Sequence, residues 1–127
     1  YYETGSWPNK NFPKYLNIEI KGTTSLKPKT LFSVIKYIEK QLGRKKTKKN
    51  HPRTCDIDIL DYDNKVISIN IDNERVIIPH PRLHKRNFVL FPLFEISKNW
   101  LHPNNKLKIG RLLSSINNKD LRTIKIT

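Results

Sequence analysis

Several features are missing from this sequence of 127 residues. It has no methionine and only one cysteine, Cys55, so no disulfide can form within the chain and nothing favours an oxidising compartment. No apolar run approaches the roughly 18 residues that a membrane-spanning helix needs. There is no repeat, no Gly/Ser-rich linker and no low-complexity stretch. We therefore expect one soluble domain over residues 1–127, in the cytoplasm, and further residues before Tyr1.

The composition favours a folded protein with a strong positive charge. Hydrophobic residues make up 36% of the chain and charged residues 28%, which is ordinary for a globular domain and too apolar for a disordered one. The formal net charge is +14, which attracts polyanions such as nucleic acids, anionic membranes and nucleotide triphosphates. Charge alone does not choose among these partners.

Two elements in the first third of the chain have clear patterns. YLNIEI, residues 15–20, alternates as a strand does, with three apolar side chains on one face and with Tyr15, Asn17 and Glu19 on the other. Pro28 suits the first turn of a helix. Apolar residues then recur at spacings of three and four until Gly43, which suits a C-cap: Leu31, Val34, Ile35, Ile38 and Leu42.

The rest of the chain predicts further strands and helices. Residues 44–53, RKKTKKNHPR, read as a mobile basic loop. TCDIDILDYD alternates and leads through Asp63-Asn64 into VISI, which predicts a hairpin. RVII predicts a strand, RNFVLFPLFEI a buried helix interrupted near Pro92, and residues 107–116 a last short helix. The order of elements predicts an α+β fold.

Asp56 and Asp58 are the residues best suited to carry chemistry. Two residues apart on a strand, they project their carboxylates from one face and lie roughly 6 to 7 Å apart at the backbone. Mg²⁺ prefers one or two carboxylates together with phosphate oxygens and water. The opposite face is apolar, with Cys55, Ile57 and Ile59. The alternative is a solvated polar face on an edge strand.

Four segments resemble the 6-hydroxymethyl-7,8-dihydropterin pyrophosphokinase family. HPRTCDIDIL resembles its Pro-Arg-x-x-Asp-x-Asp signature and IPHPRLHKRNFVLFPLFEI a later segment. PKYLN is similar to its pterin-side strand, and KYIEKQLGR to a helix end. The resemblance covers Tyr1 to about Ile96 and implies a ferredoxin-like, mixed or antiparallel sheet with helices packed on it. It also implies an N-terminal strand and helix preceding this chain.

The resemblance implies an enzyme of folate biosynthesis that moves a diphosphate from ATP to a pterin alcohol. Asp56 and Asp58 would bind two Mg²⁺ ions, and Arg44 and Arg53 would assist catalysis and loop closure. The implied pterin contacts are Tyr15, Asn17, Phe88 and Thr4, and the implied ATP contacts are Glu39, Lys46, Ile59, Arg75, His80 and Arg86. We expect a monomer with no nucleic-acid or membrane partner.

From the residues alone, some of these positions have plainer interpretations. Phe88 reads as a core side chain, Glu39 as a solvated helix charge, and Tyr15 and Asn17 as exposed strand residues. His80 and His84 lack a matching third ligand for zinc. No general base is evident, since a metal-bound Asp56 would be a poor one.

Departures from the family pattern leave some contacts open. Asn50 replaces a common tryptophan, Pro81 a common aromatic and Gly5 a common proline. These changes affect the expected adenine, loop and pterin contacts.

Two other functions remain open at this stage. One is a small RNA-binding protein, favoured by basicity but opposed by Asp56 and Asp58 and by the lack of a glycine-aromatic RNP pattern. The other is a family member that binds pterin or nucleotide without turnover.

Overall fold

The computed structural model describes residues 2–4, 15–43, 55–116 and 124–126, which form two compact units. One unit comprises Tyr1–Gly22 with Pro81–Thr127, and the other comprises Thr23–His80. The elements in chain order are β1 (Tyr2–Thr4), β2 (Tyr15–Asn17), α1 (Pro28–Gln41), β3 (Ile67–Ile71), β4 (Glu74–Ile78), a 3₁₀ turn (Leu83–Lys85), α2 (Asn87–Ile96), α3 (Ile109–Ser114) and β5 (Ile124–Ile126).

Among the described residues, two small antiparallel sheets and three α-helices confirm the α+β class. One sheet has the order β2-β1-β5, and the other is the hairpin of β3 and β4. All pairings among the described strands are antiparallel. Within the described ranges, none of the helices reaches the length and apolar character that crossing a bilayer requires.

The predicted strand over residues 15–20 is shorter in the structure, because β2 ends at Asn17. Its alternation continues, with Asn17 and Glu19 half-buried. The apolar side is the exposed one: Leu16 is 58%, Ile18 55% and Ile20 91% exposed. Alternation determines which residues share a face, but the rest of the fold decides which face is covered.

Helix α1 confirms the sequence prediction at both ends. Pro28 occupies the first turn, where its missing N–H costs nothing. At the other end the Leu42 N–H donates to the Ile38 carbonyl and the Gly43 N–H to the Lys40 carbonyl. Gly43 has a φ of 87°, a left-handed conformation that favours glycine.

The predicted hairpin around Asp63-Asn64 is wrong, because the segment before this turn does not pair with the strand after it. The turn forms, since both residues have positive φ and the Lys65 N–H donates to the Tyr62 carbonyl. The ladder lies one turn later, where β3 pairs with β4 around Asp72-Asn73. Both turns match the left-handed chemistry of a hairpin, but only the second lies between two five-residue strands.

Helix α2 is continuous, so the predicted interruption near Pro92 is wrong. Pro92 lacks the N–H that would bond to the carbonyl of Phe88, which removes one helical bond. The helix packs against α3 and β1, and Pro92 is buried together with Val89, Leu90 and Leu93. Tertiary packing of this kind outweighs the loss of one backbone bond.

Each unit has its own buried residues. In the first unit Leu83, Leu90 and Ile109 are fully buried, and α3 supplies the last of these within the predicted 107–116 region. In the second unit Ile78, Pro79 and Glu39 are fully buried. A carboxylate therefore belongs to the interior of the second unit.

Candidate active site

The two candidate aspartates lie on a segment that alternates without forming a ladder. Asp56 and Asp58 are exposed, whereas Cys55, Ile57 and Ile59 are half-buried. Residues 55–60 do not form a strand in the structure, so the strand predicted here is wrong. The alternation nevertheless places the two carboxylates on one side of the segment, because side chains two residues apart on an extended backbone, roughly 6 to 7 Å apart at Cα, point the same way.

Glu39 of α1 is bonded to the middle of this segment. The backbone N–H of Ile57 donates to Oε2 of Glu39 over 3.0 Å. The other oxygen, Oε1, lies 3.4 Å from Nζ of Lys36. Glu39 is 0% exposed, so its interpretation as a solvated helix charge is wrong.

The burial of Glu39 follows a row of residues along α1. Leu31, Ile35 and Glu39 are spaced by four and share one face of the helix. Part of the predicted apolar stripe is more exposed: Val34 is 40%, Ile38 41% and Leu42 47% exposed. The spacing of four residues from Leu31 to Ile35 to Glu39 is the feature of the sequence that indicates burial of Glu39.

The aspartate pair fits a magnesium ion better than a metal with a full protein shell. Within the described ranges no group of three or more His, Cys, Asp or Glu residues is placed to hold a metal ion. Asp56 and Asp58 offer hard oxygen ligands at the surface. Mg²⁺ accepts one or two carboxylates and completes its octahedron with phosphate oxygens and water.

Two further predicted residues of this unit lie on or just after β4. The His80 N–H donates to the Leu60 carbonyl over 3.3 Å, which joins His80 to the end of the aspartate segment beside Ile59. Arg75 is exposed, and its Nε donates to Oγ of Ser68 across the hairpin over 3.1 Å.

The predicted pterin residues belong to the other unit. Thr4 of β1 lies directly opposite Tyr15 of β2 in the sheet. Asn17 is half-buried and lies opposite Tyr2. The sheet thus pairs Thr4 with Tyr15 and places Asn17 two residues further along β2.

Phe88 lies on α2, which packs against β1. The Arg86 guanidinium carbon is 5.5 Å from the centre of the Phe88 ring, a cation–π arrangement. Phe88 is half-buried, not fully buried as a core side chain would be. Arg44, Lys46, Arg53 and the basic loop that contains them lie outside the described residues.

Glu19 was not among the predicted site residues, although it shares the alternating face of Asn17. Both of its carboxylate oxygens are inaccessible, and neither has a hydrogen-bond partner within the described part of the chain. Burial raises the pKa of Glu19 to about 8, because desolvation penalises the charged form. This side chain is therefore mostly protonated at neutral pH.

Comparison with known proteins connects these residues to one family. Residues 1–98 match the family model for 7,8-dihydro-6-hydroxymethylpterin-pyrophosphokinase. The chain is 43% identical over 102 residues to the 2-amino-4-hydroxy-6-hydroxymethyldihydropteridine pyrophosphokinase of Aquifex aeolicus, covering 80% of this chain and 61% of that protein. The Bacillus subtilis enzyme of the same name is 40% identical over 95 residues, covering 75% and 54%.

A longer relative matches almost the whole chain. The folic acid synthesis protein fol1 of Pneumocystis carinii is 38% identical over 123 residues, which is 97% of this chain and 16% of that protein. The chain thus spans less than two thirds of the length of each of these relatives.

Proposed function

Because this chain belongs to the 7,8-dihydro-6-hydroxymethylpterin-pyrophosphokinase family, we propose that it transfers diphosphate from ATP to 6-hydroxymethyl-7,8-dihydropterin. The products are AMP and the pterin diphosphate, in folate biosynthesis. The observation that carries the proposal is the exposed pair Asp56 and Asp58, which flank Ile57, whose backbone N–H donates to the buried Glu39.

In the proposed reaction the pterin hydroxyl oxygen attacks the β-phosphorus of ATP in line. One oxygen–phosphorus bond forms as the bond to the oxygen of the α-phosphate breaks, and AMP leaves. The hydroxyl proton passes to solvent water, because we assign no protein base to it. Such a transfer requires positioning and charge stabilisation more than covalent chemistry from the protein.

Asp56 and Asp58 are proposed to hold two Mg²⁺ ions. When bound, these ions would neutralise phosphate charge and orient the triphosphate oxygens. The protein's own contribution is a pair of carboxylates on one side of an anchored backbone. The same carboxylates would repel nucleic-acid phosphates when no metal is bound, so we propose no nucleic-acid partner.

The remaining side chains are assigned by chemistry. On the pterin side we propose Tyr15 and Phe88 for stacking, which suits a flat heterocycle, and Thr4 and Asn17 for hydrogen bonds. On the ATP side we propose His80, Arg86, Arg75, Lys46 and the backbone at Ile59. Glu39, which the resemblance implies as an ATP contact, is fully buried, so we do not propose it as one. Arg44 and Arg53 are proposed to stabilise the diphosphate as it transfers.

Further proposals concern the fold, location and oligomeric state of the protein. We propose a single domain over residues 1–127 with a ferredoxin-like fold, a proposal that the antiparallel sheets and packed helices support. We also propose a cytoplasmic monomer that acts on its two small-molecule substrates without a membrane partner.

The deciding experiment identifies the nucleotide product. The purified protein is incubated with ATP, Mg²⁺ and the pterin alcohol, and AMP, ADP and pterin diphosphate are separated by chromatography. AMP formation that needs the pterin and is absent from Asp58→Ala is the expected result. The control is Glu74→Ala, which removes an exposed carboxylate from the hairpin and should leave the rate unchanged.

Other products contradict the proposal. ADP in place of AMP would indicate transfer of a single phosphate. No AMP from protein that is folded by circular dichroism, together with measurable pterin binding, would favour binding without turnover.

A further inference from the structure

Glu39 is unusual because its carboxylate is fully buried in a helix face where a leucine would pack. Its row on α1 contains Leu31 and Ile35, and its own exposure is 0%. Burying a carboxylate is unfavourable unless it gains an ion pair and hydrogen bonds. A residue that serves packing alone would therefore be apolar at this position.

The partners of Glu39 indicate what the carboxylate does. One oxygen accepts the backbone N–H of Ile57 over 3.0 Å. The other lies 3.4 Å from Nζ of Lys36, whose side chain is 36% exposed. The ion pair lies within α1, whereas the bond to Ile57 joins α1 to another segment.

Ile57 is the residue between the two aspartates. Its side chain is half-buried and its N–H donates to the buried Glu39, while Asp56 and Asp58 are exposed. The segment has no strand ladder to keep its backbone in place. A charged acceptor at its centre restrains the position from which both aspartates extend.

We propose that Glu39 is a positioning residue, whose carboxylate anchors the Ile57 backbone so that Asp56 and Asp58 present their oxygens together to a divalent cation. The role extends the proposed function and rests on it only for the identity of the cation site. Glu39 itself contacts neither substrate nor metal in this role. It acts as a supporting partner to the ligands, as residues behind metal ligands commonly do.

The experiment compares three variants at and near Glu39. Glu39→Leu fills the same space but removes the acceptor, and Glu39→Gln keeps a carbonyl acceptor. Lys36→Ala removes the ion pair and the cation–π contact with Phe32 but leaves the acceptor in place. Glu74→Ala is the control for loss of a carboxylate. For each protein, hydrogen exchange reports on the Ile57 N–H, and the electron paramagnetic resonance signal of Mn²⁺ reports on cation affinity without substrates.

We expect Glu39→Leu to expose the Ile57 N–H to exchange and to weaken Mn²⁺ binding by roughly 10- to 100-fold, as loss of such partners typically does. Glu39→Gln should recover most of the affinity and the protection. Lys36→Ala and Glu74→Ala should bind Mn²⁺ like the wild type. Exchange in the β3–β4 hairpin should not change, which distinguishes loss of an anchor from general unfolding.

Two results would overturn the proposal. One is a folded Glu39→Leu protein that keeps its Mn²⁺ affinity. The other is a folded Glu39→Gln protein that protects Ile57 yet loses Mn²⁺ as Asp58→Ala does, since charge and not anchoring would then be required. If Glu39→Leu does not fold, the Ile57 exchange and the Mn²⁺ affinity of Glu39→Gln decide between anchoring and charge. Failure of the wild type to form AMP would contradict the proposed reaction. The hydrogen-exchange and Mn²⁺-binding measurements would still test the role of Glu39, because neither depends on turnover.

Discussion

The hydroxyl of Tyr62 donates a hydrogen bond of 2.6 Å to the backbone carbonyl of Leu26, 36 residues earlier in the chain. Leu26 precedes the start of α1, and Tyr62 follows the aspartate segment. Glu39 joins the same helix to Ile57 near its other end. The aspartate segment and the turn after it are therefore attached near both ends of α1.

Replacing Tyr62 with phenylalanine should lower the free energy of unfolding by about 1 kcal/mol, because the Leu26 carbonyl loses a part-buried donor. The measurement is urea denaturation followed by circular dichroism. Tyr37→Phe is the matched control, since Tyr37 is 63% exposed on α1. Equal stabilities of the two variants would show that the bond contributes nothing.

Asp56→Ala and Asp58→Ala should each lower AMP formation by roughly 100-fold or more, the scale on which lost transition-state stabilisation acts. Both side chains are exposed, so the free energy of unfolding should change by no more than about 0.5 kcal/mol. Initial rates and urea denaturation of the same samples test both parts. Near-normal turnover in either variant would remove that aspartate from the proposed metal site.

Glu19 should make the stability of its unit depend on pH. Its pKa is raised from 4.5 to about 8 in the folded chain, so the folded state binds more protons than the unfolded state between these values. The contribution of Glu19 to stability is then complete below pH 4.5, falls as the pH rises, and is lost above about 8.

The variant Glu19→Gln stays neutral and tests this dependence. Relative to the wild type, it should gain stability steadily from pH 5 to 8 and level off above that range. Urea denaturation at each pH measures the difference, with Glu74→Gln as an exposed control. A difference that does not vary with pH would show that Glu19 is ionised in the folded chain at neutral pH.

Leu90→Ala should destabilise the unit that contains α2 and α3 by about 2 to 5 kcal/mol, because it removes a fully buried side chain and leaves a cavity. Leu107→Ala is the control, since Leu107 is 38% exposed. Thermal and urea unfolding of the two variants provide the comparison. Equal losses would mean that Leu90 is not part of a close-packed core.

Local chemistry made some parts of the fold predictable. Pro28 and Gly43 set the ends of α1 through their own backbone preferences, and the pairs Asp63-Asn64 and Asp72-Asn73 both adopt the left-handed conformation of tight turns. These preferences act over a few residues and need no distant partner. The pairing of β3 with β4 was missed because two suitable turns compete, and only the register of whole strands distinguishes them.

The sequence by itself determined the family, the α+β class, helix α1 and the alternation that places Asp56 and Asp58 on one side. These depend on residue identity and on periods of two and 3.6 residues. Only the tertiary structure decided that Glu39 is buried against Ile57, that Glu19 is desolvated and that Leu16, Ile18 and Ile20 are exposed. Burial depends on which segments pack on a face, and a periodic pattern does not specify the neighbour.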